Sequence, residues 1–496
     1  MEHSEGTSVS GSTPRASSHE VQRINDTLDI EKGRESENTY EVQSKQPQDP
    51  NIVDWDGPDD PENPLNWSKS KKLKATVSIA LITLLTPLGS SMFAPGVIEL
   101  VQDFHITSTL LSSFVVSVYL LGYSIGPLLI APLSEIYGRR IIFNVCNVIY
   151  VVFTILCAVA PEIGSLIVFR FFAGCAGSCP LTIGAGSIAD MYVRERRGRA
   201  ISSWAMGPIL GPVVGPVAGG YLSQAKGWRW TFWVLAMASG AVTISSYFTI
   251  KESYAPTLLE KKAKKLRKET GNPNLRSVLD RGKTPRELFM FSIVRPVKML
   301  VFSPIVIMLS TYVALVYGYL YLLFTTISEV FTEQYHWSQG SVGLAYLGIG
   351  IGSLFGLSVL SATSDSLLKF LTRKHGGEPK PEYRLPPMIP GALLVPSGLF
   401  IYGWTAYYRT HWIVPIIGTS LLGLGMLLSF MTVSTYLVDA YTIYAASAVA
   451  ANTVLRSLVG ALLPLAGPRL AFSPLPIIFY LYGERIRKSR LAQVEF

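Results

Sequence analysis

Long apolar runs separated by short polar segments dominate the chain from Leu73 onward. A helix needs roughly 20 apolar residues to cross a hydrocarbon core. Runs of that kind cover approximately 75–95, 110–131, 141–160, 165–189, 201–222, 229–250, 300–327, 341–361, 387–406, 412–436 and 445–467. One more, Ala471 to Tyr482, is only twelve residues long and would rise about 18 Å as a helix. The pattern predicts an all-α polytopic membrane protein with eleven full spans and a short twelfth. Residues 1–72 lack aliphatic runs and are rich in Ser, Glu, Gln, Asn, Pro and Arg, so a disordered tail is expected there. No apolar h-region follows Met1, so the first run is expected to direct insertion itself and the tail to stay cytosolic.

The 496 residues are 49% hydrophobic and 16% charged, which excludes an ordinary soluble protein. Lys and Arg are distributed unevenly between alternate loops. The set formed by 133–140, 191–200, 251–299, 362–386, 437–444 and the end after Gly483 holds 28, of which 13 fall in 251–299. Nine more precede the first span, up to Lys74, while the opposite side carries only Lys226, Arg229, Arg409 and Arg469. Positive loops resist translocation, so both termini are expected in the cytosol and the number of spans is expected to be even, hence twelve. This bias accounts for the +9 net charge without a nucleic-acid partner. The sequons at Asn25 and Asn66 fall in the cytosolic tail and are read as chance.

The 251–299 connection divides the runs into six and six, giving lobes at 73–250 and 300–482 and a tail at 483–496. Lys251 to Lys268 reads as a basic, partly amphipathic helix, suited either to the anionic inner leaflet or to a solvated linker. The halves echo one another: Glu135 precedes Arg139 by four residues after the second run, and Asp365 precedes Lys369 by four after the eighth. Parallel six-helix repeats with a substrate site between them are a recurring transporter architecture.

Several polar or special residues interrupt the apolar runs. Arg170 lies a few residues inside the fourth, where a cation is costly unless it faces a cavity or partner or snorkels outward. Gly207, Gly211, Gly215 and Gly219 recur every fourth residue, followed by Gly220, so one helix face is open to close approach by a neighbour. Pro208, Pro212 and Pro216 favour a bend in the same helix. Tyr317, Tyr321 and Phe324 share a face in the seventh run, as do Tyr119 and Tyr123 in the second. These faces suit hydrophobic or cationic substrates through stacking, with helix packing as the competing explanation. Asn452 and Arg456, one turn apart in the eleventh run, suggest a cavity or interface. Cys146, Cys157, Cys175 and Cys179 all sit in apolar runs and read as small packing residues, not as ligands or disulfides.

The segment GPLLIAPLSEIYGRR at 126–140, with Gly138 at a tight loop, resembles the loop signature of the major facilitator superfamily. Ala131, Glu135 and Ile136 depart from its usual form in the way the fungal drug:proton antiporter branch does. The stretch from Gly211 through Gly215, Pro216, Gly219 and Gly220 resembles the antiporter signature of the fifth helix. The segments VDWDGPDDPENPLNWSKSKK and KESYAPTLLEKKAKKLRKETG resemble fungal multidrug and polyamine antiporters. The resemblance covers about 54 to 490. It implies a major facilitator fold of two six-helix lobes, a part for Arg170 in proton coupling, and a pairing of Asp190 with Arg139 that holds an inner gate. As an alternative, Asp190 is an ordinary acid at a helix end.

Relative to the family pattern, about twenty residues are missing where Gly467–Leu470 runs into Ala471–Pro474, leaving the last helix truncated. Gly282-Lys283-Thr284 imitates the end of a phosphate-binding loop, but Ser277 stands where its first Gly belongs. Neither HExxH nor GxSxG occurs, and none of the six His is mid-span, so no enzyme, metal, cofactor or ATP chemistry is expected. No carboxylate lies mid-span either: Glu99, Glu135, Asp190, Glu329 and Asp439 are all terminal. Glu329 is the candidate proton carrier. The expectation is a monomer in the plasma membrane, or alternatively the vacuolar membrane, exchanging protons for an amphipathic drug, polyamine or secondary metabolite. A nutrient importer and a non-transporting sensor are the rivals.

Overall fold

Each full-length apolar run of the sequence is a helix in the computed structural model, which describes residues 51–466 other than 281, 283, 376–379 and 442–444. Residues 1–50, the short twelfth run at 471–482 and the tail at 483–496 lie outside the described residues. Among those described, eleven helical segments are long and apolar enough to cross a membrane. The first is α1 (Lys69–Ser91) continued by α2 (Val97–Asp103), then come α3 (Thr109–Tyr137) and α4 (Arg139–Ala158). The fourth breaks at Ser178 into α5 (Ile163–Gly177) and α6 (Cys179–Met191), just before Pro180. Helices α7 (Arg194–Lys226) and α8 (Arg229–Thr249) complete the first lobe. After α9 (Ala255–Thr270) and α10 (Pro285–Phe302), the second lobe holds α11 (Pro304–Glu333), α12 (Gln339–Ala345) with α13 (Leu347–Lys374), α14 (Met388–Tyr407), α15 (Ile413–Tyr441) and α16 (Ala445–Ala466).

Residues 51–72, grouped by composition with the tail, adopt defined structure. Asp60 is buried and accepts the N–H groups of Asp56 (2.9 Å) and Glu62 (2.8 Å), while Asn66 donates to the carbonyls of Pro58 (2.7 Å) and Asp60 (3.0 Å). The N–H groups of Asp56 and Glu62 hold the Asp60 carboxyl below the usual carboxylate range. Lys262 of α9 bonds to the Asp54 carbonyl (2.9 Å) and pairs with Asp56 (2.6 Å). A polar segment thus orders by satisfying its own backbone, and Trp67 at its end is buried in an apolar cluster with Ala75 and Ile79. A separate small unit, 51–53 with 263–278, contains a parallel pair of two-residue strands, β1 (Ile52–Val53) and β2 (Arg276–Ser277).

The linker holds one helix more than its charge pattern suggests. A capping box between Thr284 and Glu287 starts α10, and Ser303-Pro304 ends it and caps α11. Met299 of α10 is fully buried in the same apolar cluster that receives α3 and α11, so this part of the linker packs against both lobes.

Within the first lobe α7 packs along α1, α3 against α5, and α4 against α5 and α8. The second lobe pairs α14 and α13 with α15, and α11 with α16. The lobes meet where α3 packs on α16 and where α7 packs on α12. Two corners set the helix directions in the first lobe: Gly138 (φ +94°) between α3 and α4, and Gly227 (φ +90°) between α7 and α8. Both lie in the region where a Cβ is disfavoured. The four cysteines are free, and Cys146, Cys157 and Cys179 are buried between helices.

Candidate functional site

The bundle has a basic end, where residues 137–139, 191–194, 249–262 and 380–388 lie, and an opposite end. At the basic end, Arg139 Nε lies 3.4 Å from Asp190 Oδ2 and Arg139 Nη1 donates to Ser134 Oγ at 2.6 Å. Gly186, one turn before Asp190, leaves room for the guanidinium, since a Cβ there would stand 3.3 Å from Arg139 Nη2. The pair joins the start of α4 to the end of α6 within one lobe. Glu135 sits on the last turn of α3, in the same corner.

Sequence reasoning missed the group behind this corner, Glu252. Its buried carboxylate accepts the N–H groups of Arg139 (3.0 Å) and Arg140 (3.2 Å), which are orphan donors at the start of α4. A Cβ on Gly138 would strike this carboxylate. Tyr254, two residues on, lies under the Arg139 guanidinium at 4.7 Å. At the other end of the lobe, Glu99 plays the same part for α8, accepting from Trp228 N (2.9 Å) beside Gly227. The signal available in the sequence was an acid just past the sixth span, returning to the end where a Gly-Arg-Arg helix start needs an acceptor.

The second lobe has an equivalent pair, but its cation is not the one the sequence echo selected. Arg384 Nε lies 2.9 Å from Asp439 Oδ2, and Arg384 Nη1 donates to Ser364 Oγ at 3.1 Å. Serine, arginine and helix-end aspartate repeat the Ser134–Arg139–Asp190 arrangement. Lys369, four residues after Asp365, is an exposed residue of α13. The loop before Arg384 lengthens the Ser-to-Arg separation from five residues to twenty, which hides the repeat from any fixed spacing.

Arg170 neither snorkels nor pairs with an acid. It is 1% exposed, and Nη2 reaches the carbonyls of Val116 (3.3 Å) and Ser90 (3.5 Å). The rings of Phe93 (4.9 Å), Phe232 (5.6 Å) and Tyr119 (5.7 Å) surround its guanidinium. Nε and Nη1 have no hydrogen-bond partner. Glu329, near the far end of α11, is exposed and forms no described contact with Arg170.

The glycine face of α7 lies along α1. A Cβ on Gly207 would meet Leu84 N at 3.1 Å, one on Gly211 would meet Leu88 N at 2.9 Å, and one on Gly215 would meet Met92 N at 3.1 Å. A Cβ on Gly219 would collide with the Met92 carbonyl. Gly220 turns to the other lobe instead, where a Cβ would stand 2.6 Å from Gln339 O and 3.3 Å from Gly343 Cα. Gln224 Oε1 accepts from Gly340 N at 2.8 Å at the same crossing. Pro208, Pro212 and Pro216 all lie inside α7, and the Pro216 carbonyl sits 2.5 Å from where a Gly343 Cβ would be. Close backbone approach at this helix therefore serves both lobes.

The aromatic faces converge at the lobe boundary. Tyr119, Tyr123, Tyr321 and Phe324 are buried in one apolar cluster with Tyr317 packed on it. Tyr119 pairs with Tyr123 at 5.1 Å and Tyr317 with Tyr321 at 5.3 Å, and Tyr321 meets Phe324 edge-on at 5.2 Å. Ser90 Oγ and Tyr321 OH, 3.0 Å apart, join α1 to α11 across the boundary. Asn452 is buried on α16 with Oδ1 unpartnered.

Comparison with known proteins gives this geometry a family. Residues 79–464 match the Major Facilitator Superfamily model. An MFS-type transporter of Penicillium rubens, penM, is 69% identical over 466 aligned positions that cover 90% of this chain and 92% of the relative. The efflux pump radE of Floropilus chiversii is 49% identical, with 90% of this chain and 87% of the relative covered. Among solved structures, the xylose transporter XylE from E. coli in a partially occluded inward open conformation superposes with a TM-score of 0.60 at 18% identity, over 84% of this chain and 96% of that one. The membrane-spanning helices and these matches together establish that the chain is a multi-pass membrane transporter, not an enzyme, and belongs to the Major Facilitator Superfamily.

Proposed function

We propose that this transporter exports amphipathic small molecules, among them secondary metabolites, in exchange for protons. The observation that carries this reading is the α7 face, whose glycines at every fourth position admit the α1 backbone while Gly220 admits the other lobe. A helix that packs without side chains on two partners can slide between two arrangements as the lobes rock. The radE relative, named an efflux pump, supports the direction of transport. The likeness to a xylose transporter, at 18% identity, bears on fold alone.

In this reading the basic end faces the cytosol with both termini, the membrane is the plasma membrane, and the working unit is a monomer. Gly138, Arg139, Glu135 and Asp190 shape the cytosolic rim. Arg170, a buried cation without an acid, responds to protonation changes in the bound state and so contributes to coupling, and Glu329 is the carboxylate on which the proton is exchanged. The aromatic cluster of Tyr119, Tyr123, Tyr317, Tyr321 and Phe324 provides the apolar walls, with Asn452 as a polar contact.

The test is a comparison of metabolites inside and outside cells with and without the gene. Export requires that at least one compound rises inside and falls in the medium on deletion, and that restoring the gene with Arg170→Ala leaves the defect in place although the protein reaches the membrane. Depletion of a compound inside the deleted cells, with unchanged medium, would establish import instead.

A further inference from the structure

The spans are asymmetric in charge. Arg170 and Arg456 are the Lys or Arg residues that lie inside the apolar runs away from their ends, while the carboxylates of the spans stand at the ends. Arg456 belongs to α16 at the lobe boundary. Two residues before it, the Val454 carbonyl accepts from Ser124 Oγ of the first lobe at 3.1 Å. Four residues after it, a Cβ on Gly460 would stand 2.9 Å from Leu120 Cδ1 and 3.0 Å from Tyr317 Cδ1.

The Arg456 guanidinium lies 4.7 Å from the ring centres of both Tyr317 and Phe430, and its Nε is buried without a hydrogen-bond partner. Among the described residues no carboxylate pairs with it or with Arg170. One turn earlier on the same helix, the buried Asn452 Oδ1 also lacks a hydrogen-bond partner.

We infer that this boundary site takes an organic anion with a planar apolar body, such as an aromatic carboxylate, phenolate or enolate, with Arg456 as its charge partner. The inference rests on the transport reading and names its substrate class. It reverses the charge expected from the aromatic faces alone: the Tyr317 face is already occupied by the protein's own cation, so a cationic guest would meet positive charge. A neutral guest leaves the guanidinium uncompensated in a region of low dielectric. An anion satisfies it through charge-assisted hydrogen bonds, while its flat body packs on Tyr317 and Phe430. The free Asn452 Oδ1, about 6 Å along the helix axis, calls for a hydroxyl or N–H on the same molecule.

Three probes of one shape separate charge from packing: 1-naphthoate, 1-naphthamide and 1-naphthylmethylammonium. Binding is measured on the full chain in nanodiscs by equilibrium dialysis. Naphthoate is expected to bind at least about tenfold more tightly than the amide, equivalent to about 1.4 kcal/mol, and the ammonium more weakly still. Arg456→Gln should remove that preference while keeping affinity for the amide, and Arg456→Lys should keep part of it. No naphthoate binding, an amide or ammonium that binds as well, or a preference that survives Arg456→Gln would overturn the inference. Should Arg456→Gln fail to fold, the ranking on the unaltered chain and on Arg456→Lys decides. Because dialysis reads binding alone, anion binding without efflux would break the export reading and leave this one standing, whereas efflux of cations with no anion binding would do the reverse.

Discussion

The two arginine corners at the basic end make the same contact by different means. In the first lobe Arg139 follows α3 by two residues, and its backbone as well as its side chain is held, the N–H by Glu252 and the guanidinium by Asp190, Ser134 and Tyr254. In the second, Arg384 arrives after a long loop and is held through its side chain by Asp439 and Ser364. The acids differ in exposure too, 23% for the Asp190 side chain against 38% for Asp439. A duplicated contact can thus be kept while the chain that delivers it changes, and the shorter delivery demands a special backbone.

That demand gives the largest expected effect. Gly138→Ala places a Cβ where φ is +94° and the Glu252 carboxylate already stands. We expect a loss of about 1–3 kcal/mol from the strained backbone, read as a lower unfolding midpoint of the detergent-solubilised protein. Glu252→Ala should relieve the collision without restoring full stability, because the orphan N–H groups of α4 then lose their acceptor. If Gly138→Ala melts with the unaltered protein, the first corner owes nothing to its backbone and the contrast with the second disappears.

The spans were legible because one requirement, a long apolar helix, writes itself on twenty consecutive residues. The Arg139–Asp190 contact was legible through resemblance. Arg384 was not, since a loop of changed length breaks the spacing, and Glu252 was not, since a carboxylate that binds backbone N–H groups leaves no paired side chain to look for. The duplication did leave another trace: His105 and His336, each following an aromatic residue after the first and seventh spans, both adopt positive φ, 49° and 56°. Arg170 could be flagged as costly from sequence, but only the structure shows that rings and carbonyls, and not an acid, surround it.

Removing each arginine in turn sharpens the contrast. Arg139→Ala leaves a largely buried Asp190 without its charge-assisted partner, and about 1.5–3 kcal/mol should be lost. Arg384→Ala exposes Asp439 to water that can replace the guanidinium, so about 0.2–1 kcal/mol is expected. Unfolding midpoints of the two variants in one detergent give the order directly. Equal shifts would mean that the deeper burial of Asp190 and the Tyr254 ring add nothing to the first corner.

The smallest effect decides which cation is the true counterpart of Arg139. Lys369 satisfies the sequence echo with Asp365, yet it is exposed on α13, whereas Arg384 reaches both the serine and the helix-end aspartate. Lys369→Ala should therefore change stability by less than about 0.5 kcal/mol and leave efflux at the unaltered rate, while Arg384→Ala measurably lowers both. A larger defect for Lys369→Ala than for Arg384→Ala would return the role to the residue that spacing selected, and the duplicated corner would then have been conserved in sequence register and not in contact.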